Sequence, residues 1–198
     1  MSSGRRTLIA ATANPHKLDE IREILGDAVD LLPRPADIDE VVEDEDTLLG
    51  NATKKAMAIW SATGTAAIAD DTGLEVEALS GAPGVRSARF AGESATDDDN
   101  VARLMGDLGE ATDRRARFVT CAVFVDDEGV IVWNGVCEGT IADVARGEGG
   151  FGYDPVFVPD EGDGRTFAEM TPDEKHAISH RGRAFRQVPE GLALRRGW

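Results

Sequence analysis

Apolar residues change their spacing several times along this chain, and each change marks a predicted element. Thr7 to Ala11 is a short apolar run closing on Thr-Ala-Asn-Pro, which reads as a buried strand entering a turn. From His16 to Leu25 the spacing turns helical, with Leu18, Ile21 and Leu25 on one side and Gly26 as the stop. Asp37 to Asp46 is strongly acidic and reads as a loop. A second helix is expected from a Thr47 cap to about Thr63, with Leu48, Ala52, Ala56 and Ile59 as its inward stripe and Gly64 at its end. Ala66 to Ala69 is a short strand that delivers two aspartates.

Farther on, Ser80 to Gly92 is rich in glycine and proline and reads as an ordered loop, followed by a helix over Asp97 to Leu108. Arg117 to Val125 and Val130 to Val136 form an antiparallel pair across the turn Asp126-Asp127-Glu128-Gly129. Ile141 to Val144 is a further short strand, Gly147 to Pro155 a glycine-dense loop, and Val156 to Val158 the strand after it. Thr171-Pro172-Asp173-Glu174 is a capping box with proline at the first helical position, so a helix begins there and occupies the C-terminal end. Helices alternate with strands early and a hairpin comes late, which predicts an α/β fold on a mixed sheet. With 198 residues and no internal repeat or linker, the chain reads as one domain over 1–198.

Composition narrows the classes. No apolar run approaches the roughly 18 residues a membrane span needs. The basic start Met1-Ser2-Ser3-Gly4-Arg5-Arg6 is followed by too short an apolar stretch for a signal peptide, which predicts a cytoplasmic protein without a membrane partner. The two cysteines, Cys121 and Cys137, have no metal-ligand spacing and read as buried, reduced thiols. The net charge of −16 repels phosphate backbones and argues against a nucleic-acid partner. For a polyanionic substrate, the same charge requires a local concentration of cations or a metal.

Five constellations could carry chemistry. Thr12-Ala13-Asn14-Pro15-His16-Lys17 joins a strand to a helix start, where free backbone N–H groups and Lys17 favour an anion. It lacks the glycines of a Walker loop, and by itself it also reads as an Asn-Pro turn with helix capping. The acidic run Val42 to Asp46 precedes Asn51 and Lys55, which share a helix face, and one of its acids can ligate Mg²⁺. Ala69-Asp70-Asp71-Thr72-Gly73 places two neighbouring carboxylates at a strand's end, pointing to opposite faces, with Gly73 permitting a sharp turn. Gly149-Gly150-Phe151-Gly152-Tyr153-Asp154-Pro155 allows close backbone approach and offers rings to a base. Finally, Lys175 and Ser179-His180-Arg181-Gly182 gather potential cations in an acidic chain.

Taken in order, these segments resemble the inosine/xanthosine triphosphate pyrophosphatase family, the Ham1-like family. The resemblance rests on Thr12-x-Asn14-x-x-Lys17-x-x-Glu20, Asn51-Ala52-x-x-Lys55, Ala69 to Leu74, Gly81-Ala82-Pro83-Gly84-Val85-x-Ser87-Ala88-Arg89, Gly149 to Pro155, and Glu174-Lys175 with Ser179 to Gly182. It implies an elongated mixed β-sheet flanked by helices, two lobes around a central cleft, a homodimer and Mg²⁺. It also implies site roles: Thr12, Ala13, Asn14, Pro15, His16 and Lys17 hold the triphosphate, Asp71 is the general base and a metal partner, and Thr72 contacts substrate. Phe151, Gly152, Tyr153, Asp154, Lys175, His180 and Arg181 hold the nucleotide, and Glu43 stands where a metal-linked glutamate is found. Gly50 departs from the family's usual glutamate before Asn-Ala, and Thr72 replaces a commoner serine while keeping the hydroxyl.

The activity so implied is hydrolysis of ITP, dITP or XTP to the monophosphate and pyrophosphate. Asp71 is the expected base toward water attacking the α-phosphorus, with Lys17 and Lys55 holding the leaving charge. Donors from His180, Arg181 or backbone would donate to a purine 6-oxygen and oppose a 6-amino group. Two alternatives stay open on sequence: a nucleotide-binding module without turnover, and a pyrophosphatase for modified pyrimidines.

Overall fold

The computed structural model describes residues 6–196, so Met1 to Arg5 of the basic start lie outside it. In chain order the main elements are β1 (Thr7–Ala10), α1 (Pro15–Leu25), β2 (Asp30–Leu32), α2 (Leu48–Thr63), β3 (Ala67–Val76), β4 (Pro83–Gly84) and α3 (Asp97–Leu108). They continue with β5 (Arg115–Asp126), β6 (Gly129–Ile141), β7 (Phe157–Pro159), α4 (Pro172–Ile178), α5 (His180–Phe185) and α6 (Val188–Leu192).

The strands form one sheet in the order β2-β1-β3-β5-β6-β7, with β4 on β3. β1 lies parallel to both β2 and β3, pairing Thr7 with Asp30 and Ile9 with Ala67. Each of these parallel steps needs a crossover, and α1 and α2 supply them. β4 and β7 run antiparallel to β3 and β6. The mixed sheet flanked by helices is thus the predicted α/β architecture.

The described chain divides into two compact units, one of residues 6–71, 121–134 and 184–196, the other of 72–120 and 135–183. In the first unit the strand alternation sorts side chains cleanly. Leu8, Ile68, Ala122 and Phe124 pack with Ile21 and Leu25 of α1 and with the C-terminal helices. Their neighbours Ile9, Ala67, Ala69 and Val123 point the other way, onto Ala52, Ala56 and Ile59 of α2. In the second unit Leu74, Val76 and Phe118 join Leu104 and Leu108 of α3 and the rings of Phe157 and Phe167 in a single core.

Helix boundaries follow the predicted caps. Asn14 and Thr47 cap α1 and α2, and Gly64 closes α2 in the left-handed conformation at φ 64°. Other expectations are corrected. β3 does not end at Ala69; it runs through both aspartates to Val76, because Leu74 and Val76 beyond them are wholly buried. Gly73 makes no turn. It admits β4, since a Cβ there would lie 2.6 Å from the Gly84 carbonyl oxygen. Ile141 ends β6 and does not begin a separate strand, and Val144 is exposed. Within β6, Gly139 leaves room for β7: a Cβ there would stand 2.3 Å from the Val158 carbonyl oxygen. The helical C-terminal end is three short helices, with Ser179 closing α4 in extended conformation and accepting the Gly182 N–H of α5.

Candidate active site

The alternation of β3 separates its adjacent aspartates. Asp70 faces the α1 side with Ile68, and its Oδ2 lies 3.6 Å from Lys17 Nζ on that helix. Asp71 faces the α2 side with Ala69, and its Oδ1 lies 3.6 Å from Lys55 Nζ. Asn51, one turn before Lys55, donates to Asp71 Oδ2 at 3.1 Å. Both aspartates are buried inside the strand, where a carboxylate without compensation would be costly; each receives a cation from its own helix.

The acidic run is a loop, mostly exposed, that is tied to α2. Glu43 Oε1 accepts from Lys55 Nζ at 2.7 Å, Asp44 pairs with Lys54, and the Glu45 backbone N–H donates to Asn51 Oδ1 at 3.0 Å. Gly50 belongs to this arrangement: a Cβ at that position would stand 2.8 Å from Glu45 Cβ. Absence of a side chain at position 50 therefore lets the acidic segment lie on the start of α2.

The cluster shifts its own ionisations. Burial pushes the Asp71 carboxyl up, Lys55 and Lys17 pull against it, Glu43 adds to it, and the Asn51 bond opposes it; the net direction is up. For Lys55, burial works downward, but Asp71, Glu43 and Asp70 outweigh it and the ammonium is held above its ordinary value. The site thus holds a carboxyl with a raised affinity for protons beside a lysine whose charge is reinforced.

The Thr12 to Lys17 segment differs from the expectation in one respect. Its helix-start amides are engaged: Asn14 Oδ1 accepts from His16 N at 2.9 Å and Lys17 N at 3.2 Å, and Thr12 Oγ1 accepts from Asn14 N at 3.1 Å. Pro15 has no N–H to offer. Attraction for an anion here rests on the Lys17 charge and the helix dipole, not on free N–H groups.

In the second unit, Thr72, Thr120, His180 and Arg181 form a hydrogen-bonded chain. Arg181 Nη2 donates to Thr72 Oγ1 at 3.2 Å, the Thr72 and Thr120 hydroxyls meet at 2.7 Å, and Thr120 Oγ1 meets His180 Nδ1 at 2.6 Å. The His180 ring stacks on Phe118 with centroids 4.5 Å apart. Thr120 is a site residue that periodicity did not reveal; the available signal was a hydroxyl among the apolar positions of β5.

The glycine-rich loop is held from beneath. Asp154 Oδ2 accepts from Phe151 N at 2.9 Å and from Lys175 Nζ at 2.6 Å, so Lys175 is paired within the unit. Gly150, at φ 71°, would place a Cβ 2.0 Å from that same oxygen. Gly152 N donates to Asp97 Oδ2 at 2.7 Å, an anchor on α3 that the motif did not suggest. Tyr153 is not a stacking surface: its ring is in the core and its hydroxyl donates to the Ser87 carbonyl at 2.9 Å. Phe151 is the ring that remains half-buried, with Lys175 Nζ 5.1 Å and Arg181 Cζ 5.6 Å from its centroid.

A mixed α/β chain with two buried carboxylates on one central strand, each paired with a lysine from a flanking helix, is thus defined by fold and site together. The sequence pattern of the Ham1 family matches residues 8–190, and the chain belongs to that family. It is 48% identical over 188 residues to the dITP/XTP pyrophosphatase of Porphyromonas gingivalis, covering 93% of this chain and 96% of that protein. The dITP/XTP pyrophosphatase of Mycolicibacterium paratuberculosis is 45% identical over 201 residues, covering 96% of this chain and 98% of its own. Among solved structures, a HAM1 protein from Coxiella burnetii superimposes with a TM-score of 0.87 at 37% identity, covering 96% of this chain and 100% of that one. Among the described residues, no helix is long and apolar enough to cross a membrane.

Proposed function

We propose that this protein hydrolyses non-standard purine nucleoside triphosphates (ITP, dITP and XTP) to the monophosphate and pyrophosphate, removing them from the nucleotide pool. The observation that carries the reading is the buried Asp71 carboxyl, held between the Asn51 amide and the Lys55 ammonium, in a chain nearly half identical to dITP/XTP pyrophosphatases over almost its full length.

Asp71 is the base that takes the proton of the attacking water, which its raised affinity for protons favours. Lys17 and Lys55 supply positive charge to the phosphates against the global −16. Thr12 to His16 place the start of α1 beside that charge. Phe151 offers a ring face to the base, and His180 and Arg181 offer donors to a purine 6-oxygen. Against a 6-amino group those donors would face donors, a mismatch that can reach about 10⁴-fold in selectivity. Gly152, Tyr153, Asp154 and Lys175 hold the Phe151 segment in place, and Thr72 presents a hydroxyl beside Arg181.

Mg²⁺ fits the donor set. Glu43 and Asp71 are oxygen donors that both reach Lys55 Nζ, and Mg²⁺ commonly takes only one or two protein carboxylates, completing its shell with water and phosphate. When bound, Mg²⁺ would neutralise phosphate charge. A cytoplasmic homodimer completes the reading; the family resemblance supports the dimer, and two unpaired buried cysteines suit a reducing compartment.

The test is product analysis with ITP, XTP, GTP and ATP, with and without Mg²⁺. Pyrophosphate from ITP and XTP, dependent on Mg²⁺ and at least about 10²-fold faster than from ATP, is the expected result. Orthophosphate as product, or equal rates with ATP, would overturn it.

A further inference from the structure

The hydroxyl of Thr120 carries one proton and is wholly buried. Its two side-chain partners are Thr72 Oγ1 and His180 Nδ1. Accepting from both would leave its own buried O–H without an acceptor, which is costly, so it donates to one and accepts from the other, and the chain has two polarities. In one, Thr72 donates to Thr120 and Thr120 donates to His180 Nδ1, which places the neutral ring's proton on Nε2. In the other, His180 Nδ1 carries the proton and both hydroxyls turn round.

Arg181 decides between them. A guanidinium only donates, so Thr72 Oγ1 is an acceptor toward it in either case. An oxygen that accepts from a cation becomes a stronger donor through its own O–H, and successive bonds in one direction reinforce each other. The direction Arg181 to Thr72 to Thr120 to His180 Nδ1 is continuous. The reverse direction would have Thr72 accept from both neighbours and break the series. Stacking on Phe118 fixes the ring plane, and the bond to Thr120, which a flipped ring would lose, keeps Nδ1 turned toward it.

We propose that Thr120 is a positioning residue that holds neutral His180 in its Nε2–H tautomer through the Arg181–Thr72–Thr120 hydrogen-bond chain, making His180 a donor toward bound substrate. The tautomer stands on the geometry alone; its consequence for substrate choice rests on the reading of His180 as a contact for the purine 6-oxygen. Thr120 touches no substrate in this role, and it acts by keeping the His180 donor from becoming an acceptor that would welcome a 6-amino group.

The chain has three histidines, so the ring nitrogens can be followed by long-range proton–nitrogen NMR on the full, ligand-free protein in mildly alkaline buffer, with His180→Gln identifying the signal. Wild type and Thr120→Ser should show the Nε2–H pattern at His180, and the near-isosteric Thr120→Val should show a mixture of tautomers. In parallel, the ratio of kcat/KM for ITP to that for ATP should fall about tenfold or more in Thr120→Val and return in Thr120→Ser. An Nδ1–H signal in the wild type overturns the proposal even if Thr120→Val fails to fold. So does a folded Thr120→Val that keeps both the Nε2–H pattern and the wild-type ratio. Failure of the wild type to release pyrophosphate would instead overturn the proposed function, while the tautomer signal continues to decide the role of Thr120.

Discussion

Asn51 Nδ2 donates to Asp71 Oδ2 at 3.1 Å while Asn51 Oδ1 accepts from the Glu45 backbone at 3.0 Å, so one buried amide ties the acidic segment to the central carboxyl. Removing it in Asn51→Ala leaves a backbone N–H and a buried carboxylate oxygen each short of a bond. Such losses cost about 1–3 kcal/mol. We expect a lower urea midpoint by that amount together with reduced kcat, because Asp71 loses its orientation. Unchanged stability and kcat would show that the amide is incidental.

Asp71→Asn keeps the shape of the side chain and removes the base. Turnover of ITP should fall by about 10²–10⁴-fold, the usual contribution of general base catalysis, with the circular dichroism spectrum preserved. The amide also removes the largest of the charges that keep the buried Lys55 ionised, so some loss of stability is expected, with Glu43 and Asp70 remaining beside the lysine. Near-wild-type turnover in this variant would exclude Asp71 as the base.

Two glycines make opposite predictions. Gly150 sits at φ 71° with Asp154 Oδ2 where its Cβ would be, so Gly150→Ala must strain the backbone and displace the carboxylate that holds Phe151 N and Lys175. A loss of at least about 1–2 kcal/mol is expected from the backbone conformation alone, with a raised KM for ITP. Gly106 lies within α3 with open space about its Cβ position. Gly106→Ala should raise stability by about 0.5–1 kcal/mol. Chemical denaturation of the two variants checks both signs.

Glu174 couples the start of α4 to pH. Its carboxylate accepts from Arg165, from the Thr171 backbone and from the Thr171 hydroxyl, and these bonds hold its pKa down to about 2, from an ordinary value of 4.5. Because the folded-state value is the lower one, the stabilisation is complete above about pH 4.5 and is lost as pH falls toward 2. Glu174→Gln should therefore be less stable than wild type at neutral pH, with the gap closing in acid. A gap that stays constant between pH 7 and pH 3 would contradict this origin. Thr171→Ala, which removes the reciprocal cap, should cost about 1 kcal/mol at neutral pH.

Local chemistry was legible without coordinates. Asn14-Pro15, Thr47, Gly64 and the Thr171 to Glu174 box mark helix ends because cap and turn preferences act over four residues. The hairpin between β5 and β6 and the two-sided placement of Asp70 and Asp71 follow from the period of a strand. What failed were interruptions. Gly73 and the two aspartates looked like the end of a strand, and they lie inside one, since glycine can serve close approach of a neighbouring strand as readily as a turn.

The sequence by itself determined which side chains could do chemistry: two neighbouring acids on opposite faces of an apolar strand, lysines at helix positions, a glycine-rich loop, and a histidine next to an arginine farther along the chain. Only the tertiary structure decided how they are used. It assigned Lys17 to Asp70 and Lys55 to Asp71, occupied the helix-start amides with Asn14, withdrew the Tyr153 ring into the core, and placed Thr120 between Thr72 and His180. The physical reason is range. Caps and periodicity are set by neighbours along the chain, whereas Thr120 and His180 are sixty residues apart and meet only because β5 packs its hydroxyl toward the start of α5.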